Sequence, residues 1–243
     1  MNIREKLQEL KGSYDRINEI RGSSTSLATT IKSLFEEDNG DIRNDSMLSP
    51  EGKKAKTAEL KKKYGKEFIR EAKRMKDEFQ QHVVKVNARA EIILNEKPGK
   101  PSSITIDTFQ RELNDMKTKL LLSVNPDEAV KSVQEFADKQ KDHYFTYQIK
   151  QEFPDIANSI IGISGGDPSF KLKLRDVYDN ISDKAQMPEQ KEAAQIAGML
   201  EGAFNENLFL ERGIELESIA RTIGAEFTKY ANNPNSYVDS DDE

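Results

Sequence analysis

Apolar side chains recur at Ile3, Leu7, Leu10, Tyr14, Ile17, Ile20, Leu27, Ile31 and Leu34, at intervals of four and three with Ser24 in the one vacant place. That spacing draws a narrow apolar stripe along a helix, the seam of a coiled coil or of a helical hairpin. Gly22-Ser23-Ser24-Thr25-Ser26 is a poor helix interior, because glycine is entropically costly and serine competes for the backbone, so a break is expected there. From Glu36 to Ser46 acids and turn formers replace the pattern, which predicts a loop. Leu48, Ser49 and Pro50 then supply a hydrophobic residue before the cap, a capping hydroxyl and a proline at the first helical position. The stripe resumes at Leu60, Tyr64, Phe68, Ala72, Met75, Phe79, Val83, Val86, Ala90 and Ile93, with no proline before Pro98. A helix of about 45 residues, about 70 Å long, is predicted.

A compact chain of this length would have a radius of gyration of only about 18 Å, so a rod of that length implies an elongated N-terminal helical hairpin or coiled coil over residues 1–97. Pro98 and Pro101 mark 98–103 as a linker. Beyond it, residues 104–232 read as a C-terminal multi-helix domain. Its first helix is expected to open at Asp107, with Ile106 as staple and Phe109, Leu113, Met116 and Leu120 on the buried face. A second starts at the Asn125-Pro126-Asp127-Glu128 cap and carries Val130, Val133, Phe136, Ala137, Tyr144 and Tyr147 to Phe153, where Pro154 should stop it. Gly165-Gly166-Asp167-Pro168 caps a third, bearing Phe170, Leu174, Val177 and Ile181. The stretch from Pro188 to Tyr230 has apolar positions at Ile196, Leu200, Phe204, Leu208, Ile214, Ile219, Ile223 and Phe227, with a kink or break at Gly213. Ala194, Gly198 and Gly202 lie four apart, a small-residue groove suited to close helix packing. Residues 233–243 read as an acidic, disordered tail. With no period-two pattern of useful length, the fold class is all-α.

Composition narrows the chemistry. The 243 residues include no cysteine, no tryptophan and two histidines. Disulfides, thiolate nucleophiles and cysteine-ligated metals are thereby excluded. His82 and His143 show no paired ligand spacing, and no serine has the Gly-x-Ser-x-Gly context of a nucleophile elbow. Both histidines read as surface or interfacial residues. The glycine loop at 163–169 lacks a Gly-Lys-Ser/Thr ending and carries Asp167, which favours a helix-capping turn over a phosphate site. Asp38, Asp41, Asn44 and Asp45 lack the EF-hand register. No catalytic, cofactor or metal site is expected, and the chain reads as non-enzymatic. No apolar run approaches the roughly 18 residues of a membrane span, so a cytoplasmic protein without a membrane contact is expected.

Charge is the most informative polar feature. Lys53 to Lys76 holds eleven Lys or Arg against three Glu, inside a protein of net charge −6, and residues 185–243 hold twelve acids against four bases. The cations Lys53, Lys54, Lys61, Lys62, Lys63, Lys66, Arg70, Lys73 and Arg74 could form a solvated helix face or meet an acidic protein surface, including the chain's own C-terminal region. They could also lie along nucleic-acid phosphates, with steep salt dependence and no base readout. The narrow stripes favour homo-oligomerisation, with Ile3, Leu7, Leu10, Ile17, Leu27, Ile31 and Leu34 as the self-association surface.

A short charged coiled coil, the segment Leu48-Ser49-Pro50-Glu51-Gly52-Lys53-Lys54 opening a long lysine-rich helix, a linker and a helical C-terminal domain together resemble the helical scaffolding and minor head proteins of tailed phages of Gram-positive hosts. The resemblance covers roughly residues 1–97. It implies a head-assembly component that self-associates and contacts coat or other structural protein. In that family the coat-binding element is a basic helix near the C-terminus, whereas the corresponding end here is acidic.

Overall fold

The computed structural model describes residues 1–239, and among them every regular element is helical. The chain is all-α, with two long N-terminal helices that pack together, followed by a multi-helix region. Helix α1 spans Ile3–Asn44 and α2 spans Pro50–Leu94. They run antiparallel: Arg16 meets Glu78 at 2.7 Å, Phe35 packs edge-on to Tyr64 with centroids 6.1 Å apart, and Thr57 bonds Asn39 at 3.0 Å. Among the described residues no helix is long and apolar enough to cross a membrane.

Two expectations for α1 are corrected. The helix is unbroken through Gly22–Ser26, where Ser23 Oγ donates to Ile20 O at 2.8 Å and Thr29 Oγ1 to Thr25 O at 2.9 Å. The Ser23 hydroxyl is thus satisfied inside the helix and that of Thr25 donates to Glu215 at 3.4 Å, while burial of Ile20, Ala28 and Ile31 outweighs the low propensity. The expected loop from Glu36 is likewise helical to Asn44, held by burial of Phe35 and Asn39. Only residues 45–49 connect the helices, and Ser49 Oγ accepts from Gly52 N at 3.1 Å as the cap of α2.

The chain forms two compact units, 1–91 with 195–243, and 92–194. The division therefore does not follow the expected linker at 98–103: the first unit is completed by residues 195–243, which follow the second unit in the sequence. Residues 240–243 of the expected acidic tail lie outside the described residues.

In the first unit, α8 (Ile214–Ile223) packs on α1 and is followed by α9 (Ala225–Thr228). Gly213 precedes α8 in extended conformation, which is the expected break. The expected helical run from Pro188 ends at Met199 with α7 (Pro188–Met199), because residues 200–213 turn back to cover α2. Phe209 is buried edge-on against Phe68 at 5.5 Å, whereas Phe204 is exposed. A close approach between distant segments occurs at Gly65 on α2: a Cβ there would lie 2.4 Å from the Phe227 ring. Only glycine lets that ring rest on the helix backbone.

The second unit is built of α3 (Ser103–Leu121), α4 (Pro126–Lys139), α5 (His143–Ile163) and α6 (Pro168–Ala185). Successive helices alternate in direction around a core that includes Phe109, Leu113, Val133, Ile149, Ile160 and Ile181. Helix α3 starts at Ser103, earlier than the expected Asp107, because Ser102 Oγ accepts from Thr105 N at 3.3 Å. The single helix expected from Pro126 to Phe153 is divided at Gln140–Asp142, where Asp142 Oδ1 caps α5 by accepting from Tyr144 N at 2.8 Å. Pro154 does not stop α5, since its ring is exposed while Phe153, Ile156 and Ile160 are buried. Their burial offsets the cost of an interior proline, about 3 kcal/mol. Gly165 and Gly166 adopt φ of 62° and 85° in the tight turn before α6. Gln190 Nε2 donates to the carbonyls of Ile93, Leu94 and Glu96 at 3.3, 3.0 and 2.9 Å, satisfying the C-terminal end of α2.

Gly65→Val should lower unfolding free energy by about 1–3 kcal/mol through overpacking against Phe227, read from urea denaturation. Leu7→Asp with Ile17→Asp should unfold the first unit at unchanged association state, seen as lost helical circular dichroism at low concentration, because both positions are interior to one chain.

Candidate interaction surface

The apolar stripe of α2 faces α1 and residues 199–231, so its cations are distributed over the remaining surface. Lys54, Lys62, Lys63, Arg70, Lys73 and Arg74 are exposed, and Lys53, Lys61 and Lys66 half-buried. Lys53 Nζ donates to Arg43 O at 2.7 Å, placing a cation at the negative end of α1. Lys63 approaches Asp38 at 3.3 Å, and Tyr64 Oη donates to the same carboxylate at 2.8 Å. These two bonds, Tyr64's first, hold Asp38 below the usual carboxylate range. Burial, reinforced by Asp38, pushes the Tyr64 phenol up to about 12. Arg70 pairs with Glu67, and Arg74 with Glu71 at 2.8 Å, both one turn apart.

Lys76, the last cation of the run, is interior. Its ammonium donates to Glu206 O, burial pulls it below the usual lysine value, and the nearby Glu206 carboxylate opposes that shift. The Glu206 side chain in turn accepts from Arg21 Nε at 3.0 Å. Lys66 pairs with Asp239 at 2.7 Å. The acidic C-terminal region thus meets the basic helix within the chain, at Glu206 and at Asp239.

A cleft of about 590 Å³ lies where these features converge, lined by Lys63, Lys66, Glu67, Ile69, Arg70 and Lys73 of α2 and by Pro234, Asn235, Tyr237 and Asp239. A second hollow of about 440 Å³ continues along α2 past Arg74 to Gln81 and shares Arg70 and Lys73. The sequence pattern missed Asp239 as a partner of Lys66, and missed Gly65, although a glycine within a long run of helix formers is itself a sign of close approach.

The other expected contact residues are placed differently. Leu7, Leu10, Ile17 and Ile31 are closed off inside the monomer, Ile3 and Leu27 are half-buried, and Leu34 is exposed. Ala28 and Phe35 occupy the inner positions expected of Leu27 and Leu34, because the 3.6-residue helical repeat drifts from a strict heptad. The α1 seam is therefore not a free self-association surface. Ala194, Gly198 and Gly202 are exposed, nothing lies within 4 Å of a Cβ built at either glycine, and Gly202 falls beyond α7 with φ of 75°, so among the described residues no helix is seated in that groove. His143 Nδ1 lies 2.8 Å from Lys184 O at the end of α6. His82 Nδ1 is buried without a hydrogen-bond partner among the described residues, and burial lowers its proton affinity.

Comparison with protein-family models, curated proteins and solved structures found no match to this chain.

An unfolded tyrosine releases its proton near pH 10, whereas folded Tyr64 holds it to about pH 12. The folded chain binds more protons in that window, so stability from Tyr64 is full below about pH 10 and is lost as pH rises toward 12. Ultraviolet titration of the seven tyrosines should show a late-ionising phenol that disappears in Tyr64→Phe.

Proposed function

We propose that this is a non-enzymatic assembly protein that acts through protein–protein contacts, and that the cationic face of α2 receives an acidic partner protein. The observation that carries this reading is the gathering of Lys63, Lys66, Arg70 and Lys73 along one cleft whose far wall already presents the Asp239 carboxylate to Lys66. A peptide carboxylate can replace another carboxylate there with no change in chemistry. A nucleic-acid backbone must carry its phosphates past Glu67, Glu71 and Asp239 at a fixed spacing, whereas a peptide can place its carboxylates only where the cations stand.

The finer reading, a phage head-assembly component acting on coat or another structural protein in the cytoplasm or in the particle formed there, rests on the resemblance of residues 1–97. Under this proposal copies self-associate through exposed apolar groups instead of the α1 seam. Leu121, Leu122 and Val124, at the turn between α3 and α4, are 72%, 78% and 93% exposed, an arrangement that favours contact with another protein.

Binding of fluorescein-labelled poly-L-glutamate, followed by anisotropy, tests the acidic-partner reading. The wild type should bind, and Arg70→Gln with Lys73→Gln should weaken binding about fivefold or more. A 20-base-pair DNA duplex that outcompetes poly-L-glutamate at equal charge would overturn it in favour of nucleic acid.

A further inference from the structure

The segment that walls the cation cleft is held in two distinct ways. Its upstream part is anchored by packing: Phe227 sits on Gly65, Tyr237 packs against Tyr230 and Phe227 with centroids 5.3 and 6.3 Å away, and Pro234 is buried. Asn232 adds a reciprocal pair with the Phe209 backbone, at 2.9 and 2.8 Å. Asp239, two residues past Tyr237, reaches Lys66 at 2.7 Å with both side chains partly open to solvent, at 24% and 29% exposure. An ion pair in that setting contributes little beside the aromatic anchors, so the carboxylate can leave while Tyr237 stays.

We infer that Asp239 is a built-in competitor for the α2 cleft: it occupies Lys66 until an acidic peptide segment of a partner supplies a carboxylate in its place. This inference rests on the reading of the α2 face as an acidic-partner contact, and adds a regulation of that same site. The chemistry that recognises the partner is a carboxylate against Lys66, with further carboxylates reaching Arg70 and Lys73 along the continuous hollow. Asp239 itself supplies the like charge that opposes a second carboxylate at Lys66 while it remains. Exchange, not addition, follows.

The test is the affinity of labelled poly-L-glutamate for wild type, Asp239→Asn, Lys66→Gln and the double variant, with Asp176→Asn, exposed on α6, as a control for net charge. Asp239→Asn should bind about two- to fivefold tighter than wild type, as release of a partly exposed ion pair allows. Asp176→Asn should match wild type, and Lys66→Gln should abolish the gain in the double variant. Equal thermal melts of Asp239→Asn and wild type would show that the aromatic anchors hold the segment without the ion pair. Wild-type binding with no gain in Asp239→Asn, or an equal gain in Asp176→Asn, would overturn the competitor. A gain confined to a DNA duplex would overturn the acidic-peptide partner. Absence of poly-L-glutamate binding by both wild type and Asp239→Asn would instead overturn the proposed function.

Discussion

The first unit depends on covering the apolar stripe of α2, which over residues 60–90 is long, narrow and backed by charge on its remaining sides. A single antiparallel partner leaves part of such a stripe wet. Helix α1 takes one flank, where Phe35 meets Tyr64 and Arg21 lies over Phe79, and the segment from Leu200 to Ala231 takes the other, with Phe209 on Phe68 and Phe227 on Gly65. The same two-sided cover leaves little of the stripe exposed within one chain. An amphipathic pattern thus reports that a stripe must be buried without reporting whose side chains bury it.

That packing also sorts the cations. Once the stripe is fixed against α1 and the C-terminal segment, the position of each lysine follows from helical rotation. Lys53 lands at the end of α1, Lys63 beside Asp38, Lys66 beside Asp239 and Lys76 inside, against Glu206 O. A run that is uniform in sequence becomes four different environments. Arg70 and Lys73 remain exposed, each bordering two hollows.

The fold class, the length of α2 and the caps at Ser49, Asn125 and Asp167 were legible because each depends on local chemistry. Capping oxygens, prolines at first helical positions and a 3.6-residue period act within a few residues of one another. The continuity of α1 through Gly22–Ser26 and of α5 through Pro154 was not legible, because tertiary burial of Ile20, Ala28, Phe153 and Ile156 overrides local preference. The cation run was visible, but its cleft was not: Asp239 reaches Lys66 only because Gly65, Phe227 and Tyr237 stack in sequence. The reciprocal Asn232–Phe209 pair and the Gln190 cap on α2 are likewise contacts across distant sequence, which composition and periodicity do not encode.

The discontinuous first unit has a consequence for biosynthesis. Residues 1–91 emerge from the ribosome roughly a hundred residues before the segment that completes their cover. At bacterial and eukaryotic elongation rates this leaves the hairpin half-clothed for about 5–20 s, while 92–194 can close as soon as its own helices are free. Residues 92–194 are therefore complete in the emerging chain before the first unit is, and the hairpin waits for the segment that follows them.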